Sequence, residues 1–181
     1  MDADNIIDYG LIAKALDFYK SMGYKEINVP WHVRTEVSDI TCPSLDRAYP
    51  FEDGVLVGSA EQSMIQMALD GELVENISYV TCSPCFRNEP ELDRCHQKYF
   101  MKVELFHFGD DYQAFRKIKF DAYEFLKSLT SKQIDIVVYD GFNLDMEING
   151  VEIGSYNYRS AKGIIWTCGT GLALPRFTKV M

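Results

Sequence analysis

The densest run of chemically capable side chains lies between Cys85 and Gly109, in CFRNEPELDRCHQKYFMKVELFHFG. Both ends of the run alternate as strands do, with a polar loop between them. Arg87 and Glu89 are two residues apart and so face one side of a strand. On the second arm Phe100, Lys102 and Glu104 share one face, while Met101, Val103 and Leu105 share the other, apolar one. A cation, carboxylates and an aromatic ring on one surface suit a nucleotide: guanidinium on phosphate, ring face on a base, carboxylate on an amine. The same pattern also describes a hairpin with a salt-bridged outer face. Spacing alone favours that plainer reading.

A second group surrounds Asn149-Gly150, which lies between LDMEI and VEIGS and predicts a two-residue type I′ turn. Such a turn sets Glu147 opposite Glu152 and Asp145 opposite Gly154, so that Asp145, Glu147 and Glu152 share a face. Like charges facing each other across a strand pair destabilise it. The face is therefore either fully solvated, the simpler reading, or neutralised by a cation such as Mg²⁺ held against phosphates. Cys82 and Cys85 form a CxxC, followed by Cys95-His96. Zinc is disfavoured there, because thiols three apart on a strand face opposite sides. No second spaced pair completes the set, although Cys168 could join in space. His32, His96 and His107 show no metal spacing, and His107 alternates with apolar neighbours and reads as packing. In GTGLALPR, Gly169 and Gly171 read as turn residues ahead of a short helix carrying Arg176, a weak sign of an anion at a helix N-terminus.

The elements that must carry these groups follow from periodicity. Apolar residues at three- and four-residue steps predict helices over 5–22, 59–69 and 112–129. Gly23 ends the first, and Ser59 with Gln62 forms a capping box at the start of the second. Strands are expected at Tyr24–Val29, Val55–Val57, Ile77–Cys82, Ile134–Tyr139 and Gly163–Thr167. Residues 32–54 read as loops broken by Pro43, Pro50 and Gly54. Hairpins outnumber βαβ units, so the class is α+β with a mostly antiparallel sheet flanked by helices.

With 181 residues, 47% hydrophobic and 25% charged, the chain reads as one globular domain, 1–181. A net charge of −9 argues against a broad, non-specific grip on nucleic acid or on anionic membrane. No apolar run is long enough to span a bilayer. An acidic N-terminus unlike a secretory signal and five cysteines, an odd number, fit a cytoplasmic protein with reduced thiols.

Taken together and in order, these pieces resemble the catalytic core of class II aminoacyl-tRNA synthetases, or a stand-alone paralogue of it. FYKSMGYKEINVP resembles the first family motif, FRNE with HQKYF the second, and GTGLALPR the third. The interval between Glu89 and Phe100, and the segment DMEINGVEIGSYNYR, are similar to the aspartyl/asparaginyl branch. The resemblance implies that Arg87 binds the α-phosphate of ATP and the amino-acid carboxylate. It implies that Glu89 holds the adenine amino group, Phe100 stacks under the ring, His96 lies near the γ-phosphate, and Arg176 covers the other side of the ATP. Asp145, Glu152 and Ser155 would hold Mg²⁺. Arg159 would meet the substrate side chain, and Ser59, Glu61 and Gln62 would lie by its amino group.

The implied activity is ATP-dependent amino-acid activation to an aminoacyl-adenylate, with transfer to tRNA or another acceptor. An AMP-forming amide ligase of the asparagine-synthetase kind, or a non-catalytic binding paralogue, are the rivals. The resemblance also implies a homodimer through residues 1–31, and the sequence shows no anticodon-binding domain. One departure is geometric. Simple alternation from Glu152 points Ser155 and Arg159 away from the metal face, so a bulge at Gly154 is required.

Overall fold

The computed structural model describes residues 6–42, 45–88 and 97–181. Its first half runs α1 (Tyr9–Ser21), β1 (Lys25–Glu26), β2 (His32–Arg34), α2 (Thr35–Thr41), a 3-10 turn (Leu45–Arg47), β3 (Tyr49–Phe51), β4 (Gly54–Leu56) and α3 (Ala60–Leu69). The second half runs β5 (Ile77–Phe86), β6 (Tyr99–Phe108), α4 (Tyr112–Leu129), β7 (Asp135–Val138), β8 (Asn143–Ile148), β9 (Val151–Ala161), β10 (Ile164–Leu174) and α5 (Arg176–Val180). Seven strands form a sheet in the order β1-β5-β6-β10-β9-β8-β7, and β2-β4-β3 form a small second one. Only the β1–β5 pair of the large sheet is parallel. The α+β class with an antiparallel-dominated sheet is as expected.

The sheet is covered on both faces, and strand alternation divides its side chains between two cores. Val103 and Leu105 of β6 pack with Ile12 of α1 and with Phe115, Ile118, Ala122 and Phe125 of α4. Phe106 and Phe108 point the other way and pack with Met64 and Ile65 of α3 and with Trp166. On α4 the residues facing the sheet recur at helical spacing, and the Asp111 carboxylate caps its start by accepting from Gln113 N at 2.8 Å. Asp8 likewise accepts from Leu11 N at 2.9 Å, so α1 starts at Tyr9, later than its apolar periodicity suggests.

Four expectations need correction. Residues 32–54 hold α2, a 3-10 turn and the three-residue strands β2 and β3, too short to show alternation; Val33 and Val37 are buried there, and β4 is the strand expected at Val55–Val57, begun one residue earlier. From Tyr24 to Val29, only Lys25 and Glu26 are paired as a strand. The 134–139 run is an edge strand, with Ile136 54% and Val138 63% exposed, so its apolar run, broken by Asp135, does not mean burial. The last strand does not end at Thr167 but continues to Leu174, through both glycines. Those glycines are packing residues: a Cβ on Gly169 would lie 2.5 Å from the Tyr156 ring, and one on Gly171 would lie 2.8 Å from the Tyr19 ring.

The β8–β9 hairpin turns at Asn149 and Gly150 with φ of 53° and 75°, the left-handed pair a type I′ turn requires. Glu147 lies opposite Glu152 as expected, but the register then shifts: Met146 faces Gly154, and Asp145 faces Ser155 rather than Gly154. The shift lets Ile153 and Tyr156, of opposite parity, both enter the core under α4. No helix among the described residues is long and apolar enough to cross a membrane.

Candidate functional site

A cavity of about 320 Å³ opens on the α3 face of the sheet, between β5, β6, β9, β10 and the α2–α3 region. Arg87, Phe100, Ser59, Glu61, Gln62, Glu152, Ser155, Arg159 and Arg176 all line it. Glu89 and His96 lie outside the described residues. Asp145 is paired with Ser155 across β8–β9 but does not line the cavity, and its Oδ2 accepts from the Tyr139 hydroxyl at 2.7 Å.

Each group is fixed by the element beneath it. Arg87 leaves the end of β5, donates from Nε to Gly58 O at 3.3 Å, and holds its guanidinium 5.1 Å from the centre of the Phe100 ring. That is cation–π range, and it places a phosphate-binding group beside an aromatic face. Lys102 and Glu104 form an ion pair of 2.6 Å on β6, with side chains only 11% and 3% exposed. Ser59 Oγ donates to the same Glu104 oxygen at 2.6 Å. Burial raises the Glu104 carboxyl above its usual value, and Lys102 pulls the other way. The outer face of the β5–β6 hairpin is thus salt-bridged, yet it is the floor of a cavity and not a solvated surface.

Glu61, on the first turn of α3, is held by three donors from the sheet. Trp166 Nε1 donates at 2.8 Å and Cys168 Sγ at 3.0 Å, and an Arg159 nitrogen lies at 3.6 Å. Gln62 is spent on the fold: its Oε1 accepts from Gly58 N at 2.8 Å, and its Nε2 donates to Ser38 Oγ at 3.0 Å. The capping box therefore reaches back to Gly58, one residue beyond the N-cap. Across the cavity Arg176 Nη1 meets Glu152 Oε1 at 3.1 Å, and Asn157 donates to Ser155 Oγ at 3.2 Å. The register shift at Ile153–Gly154 is what brings Glu152, Ser155, Asn157 and Arg159 to one face.

Several lining residues were not singled out in the sequence. Cys168 and Thr170 alternate along β10 and are invisible while Gly169 and Gly171 are taken for a turn. Arg47 and Cys42 belong to the stretch that read as loops. Cys82 lies against the α1/α4 core and Cys85 is buried near Lys102 and Arg87, so the CxxC thiols do face opposite sides. His107 is buried with its Nδ1 2.9 Å from Ser78 Oγ, as a packing residue would be. His32, by contrast, is half-buried and is brought within ligand spacing of the exposed Glu52 and Asp53, and none of the three lines the cavity.

This architecture is that of class II aminoacyl-tRNA synthetase catalytic cores. The pyrrolysyl-tRNA synthetase of Desulfitobacterium hafniense superposes with a TM-score of 0.76 at 14% identity, over 95% of this chain and 68% of that one. The seryl-tRNA synthetase of Pyrococcus horikoshii, solved with ATP, superposes with a TM-score of 0.74 at 20% identity, over 96% of this chain and 49% of that one. In sequence the chain is 31% identical over 127 residues to a serine–tRNA ligase of Cenarchaeum symbiosum (strain A). That match covers 61% of this chain and only 30% of the relative's length. No protein-family model matches. These three are seryl and pyrrolysyl enzymes, and they give no support to the aspartyl/asparaginyl branch.

Proposed function

We propose that the cavity binds ATP and a small polar amino acid and joins them as an aminoacyl-adenylate. The observation that supports this best is the convergence of Arg87, Phe100, Glu152, Ser155 and Arg176, from separate elements, on one cavity of a class II fold. In this reading the amino-acid carboxylate attacks the α-phosphorus in line and pyrophosphate leaves. The protein supplies position and charge rather than a nucleophile or a general base. Arg87 orients the carboxylate and the α-phosphate, Phe100 carries the adenine with Glu89 at its amino group, and Arg176 with His96 attends the remaining phosphates. Within the lining, Ser59, Glu104, Asn157, Arg159 and Thr170 offer hydrogen bonds, which suits a small polar side chain such as that of serine.

The hard oxygen donors of Glu152, Ser155 and Asp145 share one face of the β8–β9 hairpin and fit Mg²⁺ in kind. Bound there, the ion would neutralise phosphate charge. An acceptor, tRNA or another, and a homodimer through residues 1–31 belong to the same proposal. Exposed Ile6, Tyr9 and Trp31 favour the latter.

Amino-acid-dependent exchange of labelled pyrophosphate into ATP tests the reading across a panel of amino acids. Exchange with one or two small polar amino acids is expected. The Arg176–Glu152 pair favours one rival, a paralogue that binds nucleotide without turnover, because it occupies a carboxylate the metal would need. ATP binding with no exchange for any amino acid would decide for that rival.

A further inference from the structure

Two of the cavity's strands carry an extra residue, and both irregularities abut the same buried phenol. On β10 the pairing with β6 runs Thr170 to Glu104 and then Leu172 to Val103, leaving Gly171 unopposed. A one-residue slip reverses which face each later side chain takes. Cys168 and Thr170 line the cavity; without the bulge Leu172 and Leu174 would follow them into it. With it, Leu172 and Leu174 enter the core and Ala173 lines the cavity, while Arg176 lines it from the first residue of α5, just past the end of the strand. On β9 the shift at Ile153–Gly154 does the same for Ser155 and Arg159.

The bulged carbonyls are claimed by two tyrosines. Tyr19 of α1 donates its hydroxyl to Gly171 O at 2.9 Å, and Tyr156 of β9 donates to Thr170 O at 2.8 Å. Both rings are fully buried. A Cβ on Gly154 would lie 2.8 Å from Tyr156 Oη, so that one hydroxyl touches the β9 irregularity as well as the β10 one. Gly154, Gly169 and Gly171 are the gaps through which these rings approach. We infer that Tyr156 and Tyr19 are positioning residues, which hold the two bulges in register: the β9 bulge turns Arg159 into the cavity, and the β10 bulge sets where that strand ends and Arg176 begins α5. Neither touches the cavity itself.

The functional half rests on the proposed ATP reading; the structural half does not. Tyr156→Phe and Tyr19→Phe keep each ring and remove one hydroxyl. Tyr24→Phe is the control: it lies in the same core, its ring against Tyr19, but its hydroxyl donates to Asp121 of α4 and makes no bond to β10. Hydrogen exchange by mass spectrometry should show residues 167–176 exchanging about tenfold faster in the first two variants, with α4 unchanged. Pyrophosphate exchange should show KM for ATP raised about fivefold with kcat less affected, because a misaimed arginine weakens binding in every molecule. A merely structural loss would lower the active fraction and leave KM alone. Unchanged exchange over 167–176, or loosening no greater than in Tyr24→Phe, overturns the inference; so does a loosened β10 with wild-type KM. A wild-type protein without pyrophosphate exchange sinks the ATP reading, and hydrogen exchange then still decides whether the phenols hold the bulges.

Discussion

Arg87 is the residue on which the proposed chemistry depends most, and among the described residues it is lightly anchored. One long hydrogen bond to Gly58 O and the Phe100 ring hold it, with no carboxylate partner among the described residues. Arg87→Ala should therefore abolish detectable ATP binding by calorimetry while leaving the melting profile unchanged; unfolding instead would make the residue structural. Lys102 and Glu104 are the opposite case. Removing one partner of a buried pair strands the other's charge, so Lys102→Met should cost about 3–5 kcal/mol in urea denaturation. The double variant Lys102→Met, Glu104→Gln should recover most of that. The thiols of the large sheet follow their surroundings too. Burial pushes Cys82 up to about 12 and Cys85 up to about 11, and raises Cys168 well above the usual thiol. A raised pKa lowers the thiolate fraction at any lower pH, and only the thiolate is alkylated. Iodoacetamide at pH 8 should leave all three unmodified in the native protein, as peptide mapping would show.

At the scale of elements, what could be read in the sequence depended on whether a pattern was local. The helices over α3 and α4, the Asn149-Gly150 turn and the split faces of β6 are each written in spacing that a single element satisfies. The bulge near Gly154 could be demanded but not seen, because only the clash with Tyr156 explains it. The glycines of β10 misled for the same reason: the rings that require them come from α1 and β9, far away in sequence. β7 misled in the other direction. Its apolar run lies at a sheet edge, where Ile136 and Val138 extend the apolar face of β8 into solvent. Ile136→Thr should therefore change stability by less than about 0.5 kcal/mol. The equivalent change at Met146, its buried neighbour on β8, should cost several times more.

At the scale of the molecule, charge separates the cavity from the rest of the surface. The chain carries −9 overall, yet among the described residues five cationic side chains against three carboxylates line the cavity: Arg47, Arg87, Lys102, Arg159 and Arg176 against Glu61, Glu104 and Glu152. Among the described residues three of those cations are paired with the three carboxylates, so the attraction these side chains leave for an incoming triphosphate centres on Arg47 and Arg87. Such a field is short-ranged at physiological salt, where it is screened within about 8 Å. It draws a compact anion that enters the cavity and offers nothing to a long polyanion lying across an acidic surface. The chain by itself should thus bind ATP or pyrophosphate with a modest salt dependence. It should bind bulk tRNA more weakly than about 10⁻⁴ M at 150 mM salt, the weak edge of non-specific nucleic-acid binding. Filter binding over a salt series measures both. Tight, steeply salt-dependent tRNA binding would mean that a basic surface, and not this cavity alone, governs what the protein recognises.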